Sequence, residues 1–115
     1  MTLIMNKSDA EIRKEVELLR KKYPDNVAIY VTCKDGLLLP KHKFLVNANT
    51  TVGQFLGVLR NKLKNKTGSS TALFILVNNI IPPSSELLHS VYDRHKDEVT
   101  LMLKITLCSE NTFGK

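Results

Sequence analysis

The groups in this chain best suited to bond-making chemistry are two thiols and three imidazoles: Cys33, Cys108, His42, His89 and His95. A cysteine beside an imidazole can make a thiolate nucleophile, because the base lowers the pKa of the thiol. Cys33, however, takes the inward phase of an alternating stretch with Val27, Ile29 and Val31. A thiol there behaves as a small apolar core group. The histidines are scattered and show none of the spacings that hold zinc. A phosphate-binding glycine loop and a dinucleotide glycine motif are both absent from the sequence. No cofactor, metal or catalytic set is expected, so the chain reads as a binding protein rather than an enzyme. The cysteines lie far apart and no secretory signal precedes them, which favours two reduced thiols over a disulfide.

With little reactive chemistry, charge becomes the next guide. The formal net charge is +6 over 115 residues, which suits acidic partners and says nothing about fold. The cations cluster at Arg20-Lys21-Lys22 and again between Arg60 and Lys66. A solvated helix face is the plain reading of the first, with a lipid or nucleic-acid patch as the alternative, and the second loads the carboxyl end of a helix with positive charge. No apolar run is long enough to cross a bilayer. The length suits one domain with a core of its own.

The elements that must position any site are legible from period and punctuation. Thr51 followed by Gln54 is a capping box, and Val52, Phe55, Leu56, Leu59 and Leu63 then share one helical face. That face needs a sheet to lie on. Gly57 sits inside this helix at a cost of about 1 kcal/mol relative to alanine, so a close neighbour or a partner is expected beside it. Ser8 and Glu11 repeat the capping box and open a helix over residues 9–22, whose apolar stripe is Ile12, Val16 and Leu19. Tyr23-Pro24 ends it.

Strands are expected over 27–33 and 43–47, joined as a hairpin through Asp35-Gly36, with Leu37-Leu38-Leu39 unplaced. A third strand over 72–77 is apolar throughout and is expected to be buried on both faces. Ser84-Ser85 is expected to cap a short helix through Leu87, Leu88, Val91 and Tyr92. The last strand is expected over 99–108, with Val99, Leu101, Leu103, Ile105 and Leu107 inward. Residues 65–71 read as a polar loop and residues 109–115 as a mobile tail. The result is an α+β domain with one sheet face under the central helix. Tyr30 and Met102 fall on the other face, where the amino-terminal helix is available to cover them.

Five blocks, in order and at matching spacing, resemble the autophagy ubiquitin-like modifiers, the relatives of GABA-receptor-associated protein and of the microtubule-associated-protein light chain. They are Arg20-Lys21-Lys22-Tyr23-Pro24-Asp25, Lys43-Phe44-Leu45-Val46, Thr51-Val52-Gly53-Gln54-Phe55, Val77-Asn78-Asn79 with Pro82-Pro83, and Glu110-Asn111-Thr112-Phe113-Gly114. The resemblance implies a ubiquitin-like β-grasp fold with an added amino-terminal helical region. Its parts would be helical residues 1–24, a core over 25–109 and a flexible tail over 110–115 that ends in the processing glycine. It also implies cleavage by a cysteine protease after Gly114, with Phe113 beside the cut and Lys115 removed. Activating and conjugating enzymes would then join Gly114 to phosphatidylethanolamine, and the modifier would scaffold cargo receptors on the autophagosome membrane. Before that step it would be cytoplasmic. Glycine suits such a role, having no side chain to obstruct an enzyme channel.

The resemblance further implies a groove for aromatic-x-x-aliphatic peptide motifs, paired along the second strand by main-chain hydrogen bonds. By motif match, Glu15, Leu19, Tyr30, Lys43, Leu45 and Met102 resemble the aromatic pocket, and Phe44, Val46, Phe55 and Val58 the aliphatic one. Lys43, Arg60 and Lys62 would attract acidic residues flanking the motif. Several positions depart from the family pattern: Ala28 stands for a usual proline, Asn47 and Thr50 are more polar than usual, and Leu76 replaces a common aromatic. These bear on ligand preference. The alternatives are a non-conjugated β-grasp interaction module and a basic microtubule- or RNA-binding domain. Microtubules are a further partner the resemblance admits; nucleic acid is not expected, since no aromatic stacking platform accompanies the charge.

Overall fold

A computed structural model describes residues 8–64 and 71–110. Seven elements follow one another: α1 (Asp9–Lys22), β1 (Asn26–Cys33), β2 (Lys43–Asn47), α2 (Val52–Lys62), β3 (Leu73–Leu76), α3 (Leu88–His95) and β4 (Leu103–Ser109). Both expected capping boxes form. Ser8 Oγ accepts from Glu11 N at 3.2 Å, and Thr51 Oγ1 accepts from Gln54 N at 3.1 Å. In each case the acceptor oxygen of the third helical residue returns the bond to the cap.

The sheet order is β2-β1-β4-β3. β1 and β4 run parallel at the centre, with Ile29 opposite Leu103 and Val31 opposite Ile105. β2 lies antiparallel on one side of this pair and β3 antiparallel on the other. This is the expected β-grasp. Parallel neighbours demand a long crossover, and α2 and β3 supply it. The main core lies between the sheet and α2. Phe55 and Leu59 of the helix are buried with Ile29, Val31, Leu103, Ile105 and Leu107. A second, smaller core lies on the opposite face, where Val16 of α1 meets Ala28, Leu101 and Met102, with Ile12 beside them.

Several local expectations are corrected. Among the described residues no neighbour approaches Gly57: an added Cβ would meet nothing within 4 Å. The close approach is at Gly53, where a Cβ would come within 3.3 Å of Ser84. β3 is not buried on both faces: Leu73 and Ile75 are buried but Phe74 and Leu76 only half-buried, because the small core under α1 gathers no β3 residue. Leu87, rather than Ser84 or Ser85, caps α3, with no side-chain bond. The last strand begins at Leu103, not at residue 99. Val99 is exposed, and Leu101 takes φ 64° and turns toward α1 instead of the main core. The tail starts later than expected. Ser109 is buried in β4 and donates to Asp35 Oδ2 at 2.9 Å through its backbone N–H, and Glu110 exchanges two bonds with Ala72. Residues 111–115, including Phe113 and Gly114, lie outside the described residues, as do 65–70 of the expected polar loop.

Candidate peptide groove

β2 is a sheet edge. His42 O accepts from Val31 N at 2.8 Å, and Ala48 N donates to Asp25 O at 2.8 Å. Given the register Tyr30–Lys43, Ile29–Phe44 and Ala28–Leu45, main-chain groups point alternately toward and away from β1. Phe44 turns its N–H and C=O toward β1, and Lys43 and Leu45 turn theirs to the open side. That row is a template for an added strand. The His42 ring ends the β1–β2 pairing: Nδ1–H donates to the Val31 carbonyl at 2.7 Å, where a backbone N–H would otherwise sit.

A cavity of about 250 Å³ opens beside this edge, between α1 and the sheet. Of the residues expected in the aromatic pocket, it gathers Glu15, Leu19, Lys43, Leu45 and Met102. Ile12, Val16, Ala28, Lys41 and Phe44 complete the lining. Tyr30 is outside it. The residue is 36% exposed and its ring stacks on His42, with centroids 5.9 Å apart and planes at 26°. The walls are mostly apolar, and the exposed Lys41 and Lys43 side chains, opposed by Glu15 alone, favour an acidic ligand flank. Lys41 Nζ also lies 5.3 Å from the centre of the Phe44 ring, a cation–π distance.

The residues expected to form the aliphatic pocket come from both strand and helix. Phe44 and Phe55 are buried and pack edge to face at 5.7 Å. Val46 is half-buried against the core, and Val58 is 42% exposed on α2. Arg60 is already engaged: Nη2 donates to the Thr71 carbonyl at 2.8 Å, and Nη1 is buried with no partner among the described residues. Lys62 is exposed at the end of α2.

Sequence reasoning missed the loop that carries Met102. Asp97 Oδ2 accepts from Thr100 Oγ1 at 2.7 Å and from Lys104 Nζ at 3.2 Å. The Thr100 hydroxyl bond and, after it, the lysine hold the Asp97 carboxyl down at about 2, against burial. Thr100 Oγ1 in turn accepts from Met102 N at 3.3 Å. Leu101 N donates to Asp97 O, Asp97 N donates to Met102 O, and the buried Tyr92 hydroxyl donates to Leu101 O at 2.6 Å. Arg20 of α1 packs over the Tyr92 ring, and Arg13 Nη1 donates to Glu98 O at 2.7 Å. The detectable signal was Asp97 three residues before Thr100, a side-chain turn pattern running into the start of the expected last strand.

Neither thiol forms a disulfide. Burial pushes the Cys33 thiol up, partly opposed by a hydrogen bond from the Leu39 backbone. It is thus less of a nucleophile than a free thiol. Cys33 packs half-buried against the main core, as its phase implies.

Comparison with known proteins places this geometry in a family. The family model described as "Autophagy protein Atg8 ubiquitin like" matches residues 11–114. Autophagy-related protein 8e of Arabidopsis thaliana is 42% identical over 111 residues, covering 93% of this chain and 88% of that one. Autophagy-related protein 8 of Gibberella zeae is 40% identical over 106 residues, covering 90% and 87%. Among solved structures, the fold is similar to Trypanosoma brucei ATG8, with TM-score 0.82, 28% identity and coverage of 92% and 91%. It is also similar to Plasmodium falciparum Atg8, solved in complex with a Plasmodium falciparum Atg3 peptide, with TM-score 0.76, 27% identity and coverage of 88% and 89%. The chain therefore belongs to the Atg8 family of autophagy ubiquitin-like proteins.

Proposed function

We propose that this chain is a modifier that is cut after Gly114, joined to phosphatidylethanolamine and used on autophagosome membranes to hold cargo receptors. The observation that carries the receptor-binding half is the open edge of β2 beside the 250 Å³ cavity. An extended peptide would pair with Lys43 and Leu45 main-chain groups. Its aromatic side chain would fill the cavity, and an aliphatic one three residues on would reach Val46 and Val58. Acidic flanking residues would meet Lys43, Lys41 and Lys62, while Arg60 contributes less because Thr71 holds it.

Family membership supports the conjugation half, and the peptide complex of the Plasmodium falciparum relative supports a partner from the conjugating machinery. In this reading the chain is substrate and scaffold. The protease and the activating and conjugating enzymes supply the catalysis. No helix among the described residues is long and apolar enough to cross a membrane, so the attached lipid would be the anchor.

Lys43→Glu tests the groove. The side chain is exposed, so the fold should persist, with a thermal midpoint close to the parent's. Calorimetry with an acidic-flanked Trp-x-x-Leu peptide should show weakening of about 1 kcal/mol, greater at low salt, from the lost exposed charge pair and the added repulsion. Equal affinity for parent and variant would remove Lys43 from the site.

A further inference from the structure

We infer that Thr100 and Tyr92 are positioning residues for the aromatic pocket: they hold Leu101 in a left-handed backbone and thereby set Met102 as a wall of the cavity. The inference rests on the peptide-groove reading above and deepens it. Neither residue lines the cavity.

The argument begins with strand phase. Leu103, Ile105 and Leu107 of β4 face α2. Extending that alternation backward would send Leu101 toward α2 as well. Instead Leu101 takes φ 64°, a region that a leucine rarely occupies because its Cβ crowds the following carbonyl. The consequence is that Leu101 and Met102 both pack under α1 with Val16 and Ala28. Such a conformation persists only where its surroundings over-determine it. Here they do. The Leu101 N–H and C=O are both taken, by Asp97 O at 2.7 Å and Tyr92 Oη at 2.6 Å. Both main-chain groups of Met102 are taken too, by Thr100 Oγ1 and Asp97 N. Thr100 is the hinge of this set, since its hydroxyl donates to Asp97 while accepting from Met102. Without it, Met102 N–H loses its acceptor and the Asp97 carboxylate its nearest donor, so the turn through Leu101 loosens and Met102 shifts against the cavity.

The test uses the full chain with ¹³C-methyl methionine, and two peptides that differ only in Trp or Leu at the aromatic position. Thr100→Val keeps the shape and removes the hydroxyl. The Met102 methyl resonance should move or broaden, and affinity for the Trp peptide should fall about tenfold, the scale of one or two lost hydrogen bonds. The Leu peptide, which reaches less of the cavity, should lose less. Thr100→Ser should restore both the resonance and the affinity, which general destabilisation would not do. Tyr92→Phe, which keeps the ring under Arg20, should act in the same direction. If the parent binds the Trp peptide but both Thr100→Val and Tyr92→Phe bind it equally well with Met102 unmoved, this inference alone is overturned. If the parent binds neither peptide, the groove reading fails and takes the inference with it.

Discussion

Single side chains here work mostly through what they hold in place. Asp97 is the clearest case. Its carboxyl is held down at about 2 by Thr100 first and Lys104 next. A carboxyl whose folded value lies below its unfolded value of 3.8 adds stability that is fully present above that value and is lost as pH falls through the folded one. The thermal midpoint of the parent should therefore drop more steeply than that of Asp97→Asn between about pH 4 and about pH 2. Above that window the gap between the two should stay constant. Calorimetric scans across the range would show it, and parallel curves would mean that Asp97 contributes no such linkage. Tyr92 is a second holding residue. Burial pushes its hydroxyl up, with Arg20 partly opposing, so it stays a neutral donor to Leu101 at physiological pH.

At the scale of elements, α2 shows how a helix can be right for packing and wrong for propensity. Val52, Phe55, Leu59 and Leu63 are buried along one face. Gly57, on the exposed side, has open space where a Cβ would stand, and no positive φ. Nothing in the fold among the described residues requires glycine there. Gly57→Ala should stabilise the domain by up to about 1 kcal/mol, raising the urea midpoint with an unchanged slope. A destabilised variant would show that the helix backbone needs glycine after all. If the same variant also weakens peptide binding, the glycine serves a partner lying along α2 next to Val58. The contrast is Gly53, where a Cβ would stand 3.3 Å from Ser84 and Ser84 would have to give way slightly.

For the whole molecule, the proposed groove and the proposed processing site fall on different parts of the chain. The groove lies between α1 and the β2 edge, and β4 leads to the carboxyl end from the centre of the sheet. Gly114→Ala should leave the thermal midpoint where it is, because the position lies beyond the last strand. It should slow cleavage and suppress the lipid adduct, read as a faster-migrating band on a denaturing gel that pellets with membranes. A chain ending at Gly114 should bypass the protease and still need the conjugating enzymes. An alanine variant that forms the adduct and pellets like the parent would sink the conjugation reading. A plain interaction module, with Gly114 incidental, would then be the better account.

Local signals determined much of this protein from sequence alone. Both capping boxes, the bounds of α1, the inward phase of Val27, Ile29 and Val31, and the order of all seven elements follow from short-range hydrogen bonding and period. The resemblance supplied the family, and most of the residues it pointed to around the aromatic pocket meet in one cavity. Tertiary structure decided the rest. Sequence period could not place Leu101, because its left-handed turn is held by bonds from Tyr92 and Asp97, and Tyr92 belongs to another element. Tyr30 stacks on His42 and Arg60 bonds the Thr71 carbonyl, contacts that period alone does not foretell. β3 kept one half-open face because the small core under α1 gathers no β3 residue, and which strands a helix covers depends on how distant segments pack. Period reports which way a side chain points from its own backbone; what stands opposite is set by the packing of distant segments.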